Sequence, residues 1–472
     1  MTSNSSAAGS ANTAAVPFLD RIGIPRVLKW GFLGLLVFMT GLGVESNFLT
    51  PHLVETMGRP ETSVASVITA YSAAVLVASY LSGALSDLWG PRKVMLLGFV
   101  IWIIFQIGFL LAIPTGNLGL VAVLYFFRGF GFPLFAFAFL VWVNITSPAS
   151  KAGTAVGWFY VMFTGGLPTL GSLVAIGAIP AFGGGSMGER GAMWFSSGLV
   201  IIGFLMVWFG VKDERGRHRI APEGESNSAV LLSGLRLLVT NGKVMQGFLV
   251  RLINTAPQFG MFIIMPVVIT DVLEWGQARW LLMTVCIYAG NILFNAFFGA
   301  LGDRLGWVNT VRWFGVFGSA VFFALWWYVP HWVEAGSVWG YFLSVAAGVL
   351  FGICLAGFVP MGAIMPAQAP RHRGAAMAMY TTAAGGAIFL GTLVVSVVLN
   401  LTEALGWSDY ASKTAVVWTF VGLYACAFIM VGNLRTEQDD PAHRAELREA
   451  DTAALAIQAA NQRRTTVQVQ RD

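Results

Sequence analysis

The sequence holds 23 Asp and Glu residues, and one of them, Glu45, falls well inside an apolar run. An ionisable group in such a run is costly and needs a partner or a wet cavity, so Glu45 is the first candidate for chemistry. Arg128, buried within a later apolar run, is placed to be that partner. Counted along helical rises, Glu45 is about 22 Å deep from one face and Arg128 about 15 Å deep from the other, levels about 7 Å apart in a layer about 30 Å thick and close enough for two long side chains to pair. Loss of water favours the neutral acid, whereas a guanidinium nearby favours the carboxylate. The expected chemistry is reversible protonation of Glu45, with Arg128 sensing the change. The alternative is a fixed ion pair that only orders the helices.

A second set of polar residues has helical spacing. Arg251, Asn254, Thr255 and Gln258 recur at i, i+3, i+4 and i+7, on one face of a helix. Tyr288, Asn291 and Asn295 form a second stripe, and Asn47 lies two residues past Glu45. Amides both donate and accept, which suits a ligand made of hydroxyls. Aromatic faces suit its C–H surfaces, and Trp158, Tyr160 and Tyr380 sit early in two later runs. Of these, Asn47, Trp158, Tyr160, Arg251, Asn254, Gln258, Tyr288, Asn291, Asn295 and Tyr380 are the candidate substrate-binding set. Each amide alone could equally be interhelical glue, and Arg251 could snorkel to a membrane face. No metal or other cofactor is expected. Cys286, Cys354 and Cys426 are far apart, the five histidines lie outside the apolar runs, and neither HExxH nor GxxxxGK[ST] occurs.

A third set sits in short loops. GALSDLWGPRK (83–93) is echoed by GALGDRLG (299–306), and PASKAGTA (148–155) by PRHRGAA (370–376). Gly83, Asp87, Gly90, Arg92 and Lys93, with Gly299, Asp303 and Arg304, form a candidate gating motif. Glycine allows close helix approach and tight turns, and an acid at a helix start meets free N–H groups. Asp87 is expected to cap the run that follows it.

The elements that must position these residues are membrane helices. The chain is 56% apolar and 11% charged, with a mean hydropathy of +0.71. A soluble domain carries about 25% charged residues, so a soluble enzyme, a disordered chain and a nucleic-acid binder are all poor fits. Runs long enough to span lie at 30–50, 63–85, 94–113, 118–143, 154–178, 191–210, 245–270, 280–300, 309–329, 338–360, 375–399 and 414–433. The expected fold is all-α, about twelve transmembrane helices in two pseudo-symmetric six-helix bundles. Residues 1–28 read as a disordered tail, 29–210 as the first bundle, 211–244 as a cytoplasmic loop ending in an amphipathic piece (231–239), 245–433 as the second bundle and 434–472 as a solvated tail. Of 28 Lys and Arg, 22 fall in the termini or in loops on their side and four on the other. That asymmetry predicts both termini in the cytoplasm of a plasma (inner) membrane, and it accounts for the pI of about 9.2 without nucleic acid. Parallel repeats of this kind put a substrate site near the midplane, between the halves.

The duplicated loop and Arg128-Gly-Phe-Gly131 resemble the signature motifs of the major facilitator superfamily over about residues 25–435. VFMTGLGVESNFL (38–50), VGWFY (156–160), VRLINTAPQFGMFIIMP (250–266), GWVNTVRWFG (306–315) and AGFVPMGAIMPAQAPRHRGAAMAMY (356–380) are similar to the polyol permeases, a group that includes ribitol and D-arabinitol transporters. That resemblance implies proton-linked uptake of a sugar alcohol by a monomer in the lipid bilayer. Leu42 stands where some of those permeases carry a second acid, which leaves coupling to Glu45 alone. The alternative within transport is a carboxylate carrier, with Arg128 and Arg251 gripping the anion. Drug antiport fits less well, because GGLPTLGS (165–172) lacks Gly directly before Pro. An enzyme would need convergent acids, histidines or cysteines, and a non-transporting sensor a large signalling domain; the sequence offers neither.

Overall fold

The computed structural model describes residues 18–45, 48–59, 61–221, 224, 226–269, 273–275 and 277–450, and no strand occurs among them. Helix is what this composition dictates, because in lipid each backbone N–H and C=O must find its partner within its own segment. The long helices are α1 (Lys29–Gly43), α2 (Glu61–Trp89), α3 (Pro91–Ala112), α4 (Leu118–Thr146), α5 (Ala149–Ala181) and α6 (Gly185–Gly210) in the first half. In the second they are α7 (Gly242–Val267), α8 (Gln277–Leu305), α9 (Trp307–Trp332), α10 (Val338–Ala367), α11 (Arg373–Ala404) and α12 (Asp409–Gly432). Eleven helical segments among the described residues are long and apolar enough to cross a membrane. The other is α2, 29 residues long and diluted by Ser72, Ser79, Ser82 and Ser86.

The two six-helix bundles meet along two seams, α2 on α11 and α5 on α8. Within the halves α1 packs on α6 and α7 on α11. Small residues make the seams possible. A Cβ on Gly83 would lie 2.6 Å from the Gly374 carbonyl oxygen, and one on Gly299 would strike the carbonyl of Gly153.

Local irregularity places the buried charges. The first expected run, 30–50, is not one continuous helix: α1 ends at Gly43, and Leu49–Met57 continues as a separate piece. At that point α5 contains π-helical turns, Gly165–Leu170, with Pro168 inside them. Proline lacks the N–H and widens the turn. A side chain on Gly43 would collide with the Leu167 carbonyl, so α1 and α5 cross backbone to backbone. Glu45 sits just past this crossing. In α4 the helix is interrupted by turn residues Gly129 and Phe130, directly after Arg128.

Two expected tails are more ordered than their composition predicts. Residues 18–28 include a short helix, Phe18–Arg21, and bury Ile24 and Leu28 in the core, so the expected disorder does not hold for 18–28. After α12, Leu434 and Gln438 are buried, and a helix over 441–450 folds back on the bundle. There Asp439 accepts from Val308 N at 2.9 Å, and Arg448 donates to the Asp303 carbonyl at 2.9 Å. The start of the tail, 434–440, is therefore docked on the bundle, while the helix 441–450 stays mostly exposed. The loop between halves contains an amphipathic helix, Asn227–Thr240, tied to α2 by the Tyr80 hydroxyl donating to Leu231 O at 2.5 Å.

Candidate functional site: an ion pair on a cavity between the halves

Glu45 and Arg128 form a direct ion pair, Oε1 to Nη2 2.5 Å, with both side chains at most 5% exposed. Three rings cage the guanidinium: Trp102 at 4.9 Å, Tyr125 at 5.1 Å and Phe109 at 5.8 Å from its carbon. Both charged residues line a cavity of about 610 Å³. Its walls come from both halves, and its hydroxyls are those of Tyr71, Ser72, Tyr125 and Thr392. The spacing of Tyr125 three residues before Arg128 was the available signal for one of these; Ser72, Tyr71 and Thr392 carried none.

The cavity is separated from the side bearing the termini by a second layer. Tyr160 of α5 and Tyr380 of α11 meet hydroxyl to hydroxyl at 2.8 Å, both buried. Arg251 lies against them, its guanidinium 4.0 Å from the Phe358 ring and 5.3 Å from that of Tyr380, and Nη1 donates to Thr255 Oγ1. It is 4% exposed, so it does not snorkel, and no acid pairs with it among the described residues.

Several of the other candidates do a different job. Asn254 Nδ2 donates to the Gly315 carbonyl, 2.5 Å, within the π-helical turns Val311–Gly318 of α9, and its own carbonyl accepts from Tyr424. Asn291 Nδ2 donates to Gly352 O at 3.0 Å. These two amides are glue between helices, because irregular or closely approached backbone leaves carbonyls that need a donor. Asn295 Nδ2 reaches Asn291 Oδ1 and Thr164 Oγ1, each at 3.4 Å, and so crosses the α5–α8 seam. Gln258 bonds the Tyr288 hydroxyl, and Tyr288 stacks on Phe262 at 5.9 Å. Trp158 points away from the centre and donates to Ile22 O at 2.8 Å. It is two residues before Tyr160, about 200° around the helix, and cannot share its face. None of these, Tyr160, Tyr380 and Arg251 included, lines the 610 Å³ cavity. Asn47 lies outside the described residues.

On the termini side the loop acids close the seams reciprocally. Asp303, ending α8, accepts from Gly153 N (3.0 Å), Thr154 N (2.7 Å), Thr154 Oγ1 (2.5 Å) and Trp307 Nε1 (2.7 Å). Asp87, ending α2, accepts from Ala375 N at 3.0 Å in the first turn of α11. Each half therefore caps a helix of the other. Asp87 was expected to cap α3, but α3 opens with Gly90 at φ +84° and Pro91, which has no N–H to offer. Arg92 instead donates to the end of α6, at Trp208 O (2.6 Å) and Val211 O (3.2 Å), where helix carbonyls are free. Lys93 and Arg304 are exposed.

A sequence profile described as Major Facilitator Superfamily matches residues 31–392. The chain belongs to the Major Facilitator Superfamily. It is a multi-pass membrane transporter and not an enzyme. Among superfamily relatives, it is 35% identical to the alpha-ketoglutarate permease of Bacillus subtilis (strain 168), over 86% of this chain and 88% of that one. It is 30% identical to the D-arabinitol transporter of Klebsiella pneumoniae, over 90% of this chain and 96% of that one. The superfamily fold is also that of the proton:xylose symporter XylE, solved with a bound 6-bromo-6-deoxy-D-glucose, at a TM-score of 0.63 and 16% identity over 89% of this chain and 98% of that one.

Proposed function

We propose that this transporter takes up a neutral sugar alcohol together with a proton, as a monomer in the plasma (inner) membrane with both termini in the cytoplasm. The observation that carries the reading is the cavity wall: an ion pair that neutralises itself, surrounded by hydroxyls and apolar surface. A polyol can exchange hydrogen bonds with Tyr71, Ser72, Tyr125 and Thr392, and an anion would find no spare cation there. The relative named as a D-arabinitol transporter supports the same substrate class. In this reading residues 29–210 and 245–433 rock about the cavity, and 211–244 links them. The Asp87 and Asp303 caps hold the cytoplasmic side shut while the substrate and proton enter from outside. Glu45 takes the proton, its grip on Arg128 loosens, and the caps and the Tyr160–Tyr380 bond part as the halves tilt.

The test is uptake by proteoliposomes across labelled pentitols and hexitols, with and without an imposed pH gradient. Accumulation that needs the gradient is the expected result, and polyol uptake indifferent to pH would refute the coupling.

A second reading, a carboxylate carrier, is favoured by Arg251, buried and without an acid among the described residues, and by the relative named as an alpha-ketoglutarate permease. Counterflow of labelled dicarboxylates against labelled polyols separates the two. In the carboxylate case Arg251→Gln loses dicarboxylate exchange.

A further inference from the structure

Arg128 is surrounded by more than its acid. Trp102, Gln106 and Phe109 occupy positions i, i+4 and i+7 on one face of α3, and both rings of that set lie on the guanidinium. Gln106, between them, therefore faces Arg128 as well. It is fully buried, and neither Oε1 nor Nε2 has a partner among the described residues. The same holds for Arg128 Nε and Nη1 and for Glu45 Oε2. A buried primary amide with both ends idle is an unfavourable thing to retain in a helix that could carry leucine there. Its position makes sense if its partner comes and goes.

We infer that Gln106 is the reserve partner of Arg128, accepting from the guanidinium through Oε1, directly or by way of one water, whenever Glu45 is protonated. The inference rests on the reading of Glu45 as the proton-binding acid. The proton adds to the idle oxygen, Oε2, and the carboxylate becomes a neutral acid. The guanidinium keeps its charge and loses most of its attraction to Oε1. Trp102, Tyr125 and Phe109 already present ring faces to the cation. The Tyr125 hydroxyl also hydrogen-bonds Arg128, and Gln106 supplies a second acceptor for the guanidinium nitrogens that stay idle, Nε and Nη1. The other titratable groups facing the pair are the phenols Tyr71 and Tyr125, from α2 and α4. Neither is a carboxylic acid, so no second carboxylate is at hand to take the role. Gln106 is a positioning residue, since it acts on the proton through Arg128.

A double-mutant cycle in thermal unfolding of the purified full-length protein in detergent tests this. Glu45→Gln mimics the protonated acid. Gln106→Leu should leave the melting temperature of the wild type unchanged or slightly raised and lower that of Glu45→Gln by roughly 2 °C, because only there does Arg128 depend on the amide. Gln106→Glu, which brings a carboxylate, should raise the melting temperature of Glu45→Gln. The same change in the two backgrounds, with no rescue by Gln106→Glu, would make Gln106 a packing residue and overturn the inference. If the double variant does not fold, the single variant Gln106→Leu decides in proteoliposomes. Its uptake driven by a pH gradient should fall severalfold relative to its own counterflow, and a parallel fall in both overturns the inference. The melting cycle reads only the partnership of Arg128. Full gradient-driven uptake in Glu45→Gln would sink the proton reading of the previous section while leaving the cycle to be judged by itself.

Discussion

The hydroxyls of Tyr160 and Tyr380 touch at 2.8 Å although the residues are 220 positions apart, one in each half of the protein. They stand at matching places, early in α5 and in α11, the helices whose first turns the two loop acids cap. Acids and phenols thus form two layers of the same closure, with the Glu45–Arg128 cavity beyond the second.

Removing the phenol contact should loosen the closure by a modest amount. Tyr160→Phe deletes one neutral hydrogen bond, worth about 1 kcal/mol, and leaves the Tyr380 hydroxyl against Arg251. Spin-label distances between the halves on the termini side should then show roughly a fivefold gain in the open population.

The Asp303 cap should matter more than the Asp87 cap. Asp303 accepts four hydrogen bonds, two from backbone N–H groups of α5. Bonds to charged groups are worth about 1.5–3 kcal/mol each. Asp303→Ala should shift the same spin-label distances toward opening further than Asp87→Ala does. An equal shift from both would contradict the assignment.

Breaking the buried pair from opposite sides should have unlike results. Arg128→Ala strands a carboxylate in a dry setting and should lower stability by about 3–5 kcal/mol, read by thermal unfolding. Glu45→Gln should abolish accumulation driven by a pH gradient while substrate counterflow persists. Full gradient-driven uptake in that variant defeats the coupling role.

Two cavity hydroxyls lie outside the ion pair and can be removed without touching it. Thr392→Val and Ser72→Ala should each raise the KM for a transported polyol by about fivefold, the loss of roughly 1 kcal/mol. An unchanged KM in both would remove them from the binding surface.

Much of this architecture was readable from residue order. Apolar runs marked the helices, and a lone acid with an arginine at similar depth marked the pair. What spacing could not encode was which backbone would come alongside. Asp87 has α3 next to it in sequence, but Gly90 and Pro91 leave little there to cap, and the free N–H groups belong to α11. Asn254 and Asn291 look like binding amides until irregular or close-packed carbonyls at Gly315 and Gly352 claim them. Gln106 had no periodic partner of its own kind, and only burial makes it stand out. Trp158 was different: the angle between it and Tyr160 was available from helical geometry alone.

The first and last described segments of the chain, 18–28 and 434–450, fasten to one place. Trp158 and Gly23 hold the leading segment against the start of α5, and Arg448 binds the carbonyl of the residue that caps that same start. The two segments work as a staple across a single seam, whereas Asp87 O is held by Ile220 N and Ala221 N of the linker. A reporter protein spliced before Pro441, or a chain shortened to that point, would remove one leg of the staple and leave the other seam as it was. An affinity handle or fluorescent fusion placed before Pro441 is therefore not a neutral choice for this carrier, and a loosened α5–α8 seam is the artefact to guard against.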